Sequence, residues 1–145
     1  MVDTLVRFIH LLAAAYWLGG LIMLASVVVV GLRVLDRDQF RALLIPLARL
    51  FAWGALVAWL ILLLSGYLLA SRRISSLDAL STTPYGRQLE VKLFLVALTI
   101  VATVVHVVLG RSRSRAALTI SRAMAVLAFV FTASVFFAAA RLASG

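Results

Sequence analysis

Four long apolar runs leave this chain little freedom of fold class. They cover about residues 5–35, 40–70, 91–109 and 120–140. Each is long enough to cross a hydrocarbon core of ~30 Å as an α-helix. Inside a bilayer the backbone must satisfy its own hydrogen bonds, so spanning segments are helices or closed barrels. The chain has 145 residues, 65% of them hydrophobic, and a mean hydropathy of +1.15. The sequence therefore predicts an all-α integral membrane protein. Its four transmembrane helices would form an up-down bundle, one domain over residues 1–145.

The formal net charge is +9, but the basic residues lie at span ends and in short connections. Cations there anchor helices and set orientation, so the charge predicts a lipid bilayer as partner and no nucleic acid. The run Arg111 to Arg115 reads as a topology signal or a headgroup contact. The first connection carries Arg33, Arg37 and Arg41, and the third carries Arg111, Arg113, Arg115 and Arg122. The positive-inside rule puts both in the cytoplasm and both termini outside. Arg72, Arg73, Arg87 and Lys92 oppose that bias. The first apolar run exceeds the ~7–15 residues of a signal h-region, so it is expected to remain as the first span.

The chain contains no cysteine and three methionines, Met1, Met23 and Met124. That excludes disulfides, thiolate metal sites and thiol nucleophiles within it. No phosphate loop, dinucleotide fingerprint or nucleophile–histidine–acid arrangement is present. Hydrolase, kinase or dehydrogenase chemistry of the soluble type is not indicated.

Helix two is expected to begin near Asp38 as N-cap and to contain Pro46, which predicts a kink. Residues 71–90 read as a connection with room for a short interfacial helix, because Ser75, Ser76, Thr82, Thr83, Pro84 and Gly86 punctuate it. Small residues recur at helical spacing: Ala15 with Gly19, Gly54 with Ala58, Gly66 with Ala70, and Ser121, Ala125, Ala128 and Thr132 together. Such stripes let helix backbones approach closely in lipid, within a bundle or in a homo-oligomer.

The third span carries a polar stripe. Lys92, Thr99, Thr103, His106 and Gly110 fall on one side of a helix. The other histidine is His10. An ionisable residue inside a span usually faces a bundle interior, a cavity or a bound group. His10 reads equally as a ligand or as an interfacial anchor beside Trp17. His106 with Thr103 reads as an interhelical hydrogen bond or a cofactor contact, and Thr99 as a bond back to its own helix. In an up-down bundle His10 would lie toward the outer surface and His106 toward the cytoplasm, ~24 Å apart along the membrane normal. That geometry argues against one ion or one haem held by both in the same subunit. An outer neighbourhood would gather His10, Tyr16, Trp17, Tyr67, Arg87 and Lys92, with Glu90 able to pair with Arg87 or Lys92. An inner one would gather His106, Thr103, Arg49 and Arg41. Arg49, well inside helix two, would need a partner or a snorkelling path.

These residues resemble a known family. Phe8 to Gly20, with His10, Trp17, Gly19 and Gly20, and Thr83 to Leu93, with Tyr85-Gly86-Arg87 followed by Lys92, look like motifs of the copper resistance D (CopD) family of bacterial inner-membrane proteins. Leu64-Ser65-Gly66-Tyr67 fits the end of its preceding helix. The resemblance implies copper transport or tolerance in the plasma membrane, with His10 as metal ligand and a periplasmic copper-binding protein or other membrane-complex subunits as partners. A weaker similarity is to the HemJ-like four-span family. It implies haem b, with His10 as axial ligand, Arg87 and Lys92 meeting propionates, and His106 as a second cofactor contact. Copper(I) prefers thiolate and thioether ligands, which this chain scarcely offers, while haem suits imidazole and an apolar pocket. A third reading is a non-catalytic accessory subunit whose small-residue stripes are the working surface.

Overall fold

The computed structural model describes the backbone apart from residues 75, 77, 113 and 145, and side chains apart from these and residues 142–144. Parts of the expected 75–78 loop and of the 111–115 basic run therefore lie outside the described residues. Five helices follow one another: α1 (Val2–Val34), α2 (Arg37–Ser71), the short α3 (Asp78–Thr82), α4 (Pro84–Leu109) and α5 (Arg115–Ser144). Four of them, all but α3, are long and apolar enough to cross a membrane. The short helix expected in the second connection is α3. Helix α4 starts at Pro84, earlier than the apolar run, because Thr83 caps it and Pro84 suits a first helical position.

The chain divides into two compact units, residues 1–73 and 74–145. The first is a hairpin of α1 and α2. Its turn is fixed by a capping box: the Asp36 carboxylate accepts from the backbone N–H groups of Asp38 and Gln39, and the Gln39 side chain accepts from the Asp36 N–H. The cap is thus Asp36, not Asp38. The Asp36 backbone is extended, which frees its side chain to reach forward, whereas Asp38 is already within the first turn. Pro46 lies inside α2, as the sequence indicated.

The hairpin interface is built from aromatic rings set against glycines. Phe51 occupies the space that a side chain at Gly20 would need, and Tyr16 the space at Gly54. Trp17 packs on Phe51 with ring centroids 5.8 Å apart and edge-on to Trp59 at 5.2 Å. Ala13, Trp17, Ala55 and Ala58 are buried there. At the open end Arg72 pairs with Asp3, but both side chains are about half exposed, so the pair adds only ~0–1 kcal/mol. The second unit packs α4 on α5 through small and hydroxyl side chains: Thr99 and Ala102 on α4, Ser121, Ala128 and Thr132 on α5, all buried. Lipid tails compete equally for apolar surface, so close approach and internal hydrogen bonds hold such a seam.

Candidate functional site

Helix α3 meets α4 at Gly86. The Gly86 N–H donates to the Thr83 hydroxyl (3.0 Å), which donates in turn to the Ala79 carbonyl (2.6 Å). A Cβ at Gly86 would overlap the backbone carbonyls of Ala79 and Leu80. The Tyr85-Gly86-Arg87 sequence is therefore a joint between two helices. It launches α4 with Arg87 exposed and Lys92 half-buried about a turn and a half later. Among the described residues Glu90 pairs with neither cation, and Arg72 pairs with Asp3.

His10 lies on α1 against α2. Its Nδ1 is 2.8 Å from the Ser65 hydroxyl oxygen. The Ser65 proton is committed to the Ile61 carbonyl at 2.5 Å, so Ser65 accepts and His10 Nδ1–H donates. That assignment puts the basic lone pair of the ring on Nε2. The ring lies beside Gly66, where a Cβ would stand in ordinary van der Waals contact, 3.5 Å from His10 Cε1.

His106 lies near the C-terminal end of α4 and makes a reciprocal clasp with α5. Its Nδ1 is 2.9 Å from the Ser121 carbonyl and 3.0 Å from the Ser121 hydroxyl, while that hydroxyl donates to the His106 carbonyl at 2.9 Å. A carbonyl can only accept, so Nδ1 carries the proton and Nε2 the lone pair. Among the described residues none bonds to His106 Nε2 and no buried polar side-chain atom lacks a partner, so Nε2 is not a buried, unsatisfied atom. A backbone bond that fixes the tautomer and orients the ring is the usual outer support of a metal-binding imidazole.

The polar stripe of α4 resolves into separate functions. Thr99 and Thr103 bond back to the Leu95 and Thr99 carbonyls, at 2.8 and 2.7 Å. Thr99 is one of the most buried residues of the chain, at 2% exposed. Of the expected outer group, His10, Tyr16, Trp17 and Tyr67 belong to the first unit and Arg87 and Lys92 to the second. Tyr16 and Trp17 share Phe51, while Tyr67 is exposed. Of the expected inner group, Thr103 bonds its own helix, and Arg41 and Arg49 are exposed on the first unit. Of the histidine partners, Ser121 was visible in the sequence only as a member of a small-residue stripe, and Ser65 only within the Leu64-Ser65-Gly66-Tyr67 segment. The signal at Ser121 was a hydroxyl standing in a stripe that otherwise carries alanine and threonine. Among the described residues no three or more His, Cys, Asp and Glu gather into a metal-holding group.

The copper resistance protein D family model matches residues 45–142, well over half of the chain. The chain belongs to the copper resistance protein D family. The matched segment contains Arg87, Lys92 and His106 and leaves His10 outside. A curated relative, the copper transport protein CutJ of Bacillus subtilis (strain 168), is 33% identical over 138 residues. That alignment takes in 93% of this CopD-family chain and 25% of CutJ, so the chain spans about a quarter of the relative's length. No solved structure matches the chain. With its four apolar helices, this member of the family is a multi-pass membrane protein.

Proposed function

We propose that this chain is a membrane core for copper transport or copper tolerance in the bacterial plasma membrane. The match of the copper resistance protein D model across α2 to α5 carries that reading, and the similarity to CutJ supports it. Copper is here cargo. The donor set fits transient contact better than a resident cage: two imidazoles in different units, no cysteine, and Met23 and Met124 as thioethers within the spans. Copper(I) accepts imidazole nitrogen as well as sulfur and tolerates few ligands. His10 and His106 each have Nδ1 tied down by a serine or its backbone, which fixes the orientation of each ring. A second ligand would then come from a partner such as a periplasmic copper-binding protein, or from another copy of the chain.

The test is cellular copper content in a host with and without the chain, with His10→Ala and His106→Ala expressed at equal levels. The expected outcome is a copper content that changes with the chain and returns toward the empty-host value in His10→Ala. Equal copper content and equal copper tolerance with and without the chain would overturn the proposal.

A further inference from the structure

Arg49 is the one cation of α2 between Arg41 and the end of the helix, at the edge of a long uncharged stretch. The preceding cation on that helix is Arg41, two turns earlier, and residues 42–48 between them are apolar. After it, Leu50 to Ala70 carries no charge over about 21 residues, or ~31 Å. The neighbouring helix α1 is also free of charge from Phe8 to Leu32 apart from His10. Arg49 is exposed. Ile45, Arg49, Trp53, Leu56 and Leu60 fall on one face of α2, and the four apolar members are all exposed. Trp53, one turn beyond Arg49, is 68% exposed. This is an exposed apolar face of the first unit with a guanidinium set in it.

A guanidinium keeps its charge everywhere in a protein and needs an anionic or hydrated partner. The chain's five acids lie at helix ends and turns: Asp3, Asp36, Asp38, Asp78 and Glu90. A second copy therefore offers no carboxylate at this depth. Side chains on a helix lean toward its N-terminus, which for α2 is the turn that carries Arg33, Arg37 and Arg41. Arg49 thus reaches toward the headgroups of that leaflet, and Arg41 lies within a quarter turn of it around the helix. Trp53 stands where interfacial aromatics stand.

We infer that Arg49, with Arg41 above it, seats the phosphate of an anionic phospholipid against α2, drawing that headgroup below the level of the α1–α2 turn. Arginine suits a phosphate because its planar fork donates two hydrogen bonds to it. This site is independent of any copper chemistry.

Trp53 supplies the readout. The full chain is placed in phosphatidylcholine vesicles containing brominated phosphatidylglycerol or, in parallel, brominated phosphatidylcholine, and tryptophan quenching is compared. Trp53→Phe identifies the Trp53 contribution against Trp17 and Trp59. The expected result is a preference for phosphatidylglycerol of about five-fold, the scale of one cation at an anionic surface. It should fall to about one in Arg49→Gln and persist in Arg49→Lys, with helix content unchanged by circular dichroism. Equal quenching by the two lipids in the unmodified chain would overturn the inference. So would a preference that survives Arg49→Gln, which would assign the lipid to the cations of the turn. Protection of Trp53 from both quenchers would also overturn it and show that protein covers this face.

Discussion

A methyl group added at Gly86 runs into the backbone carbonyls of Ala79 and Leu80, whereas one added at Gly19 meets nothing within 4 Å. Gly86→Ala should therefore destabilise the second unit by about 1–3 kcal/mol, because backbone cannot step aside as a side chain can. Gly19→Ala should be neutral or stabilise by up to ~1 kcal/mol through helix propensity. Thermal unfolding of both variants in the same detergent checks the contrast. At the α4–α5 clasp, Ser121→Ala removes the hydroxyl but leaves the carbonyl that accepts from His106 Nδ1. Its expected cost is ~1 kcal/mol or less. His106→Leu removes the ring altogether and should cost more; equal losses would show that the ring's bond to the carbonyl adds nothing. The two histidines themselves were legible in the sequence as rare ionisable groups in apolar runs. Their serine partners were not, because a small serine in an apolar helix looks the same in sequence whether it packs or bonds.

The long helices were read almost to their ends from hydropathy alone, since lipid demands an unbroken apolar run and an intact backbone ladder. The errors fell where hydropathy carries no information. The start of α2 depends on which of two aspartates has an extended backbone, and the capping box selects Asp36. The start of α4 depends on Thr83 and Pro84, which precede the apolar run. Asp36→Ala should lower stability by ~1 kcal/mol, and Asp38→Ala by only a few tenths through the helix dipole; denaturation midpoints of the two variants separate the roles. The Ala15–Gly19 pair shows the limit of stripe reading. It has the same spacing as Gly54–Ala58, yet Ala58 is buried against α1 and Gly19 lies open. Spacing shows that two residues share a helix face, but not which neighbour that face meets.

For the whole molecule, family membership was legible in motifs that carry structure. Gly86 in the Tyr-Gly-Arg sequence is kept small by a backbone contact, and Gly20 by the ring of Phe51. The distribution of cations predicts a topology, and the cysteine-free sequence makes it directly measurable. Single cysteines placed at residues 38 and 112 should react with an impermeant thiol reagent only from the cytoplasmic side, and one at residue 78 only from outside. The reverse pattern would invert the orientation and move His10 to the cytoplasmic leaflet. The division into two hairpins also sets a schedule during synthesis. His106 and its partner Ser121 are 15 residues apart, while His10 and Ser65 are 55 apart. At ~5–20 residues per second, His106 waits ~1–3 s for Ser121 to be made, and His10 waits ~3–11 s for Ser65. For those seconds the nascent first helix carries an imidazole whose final partner does not yet exist.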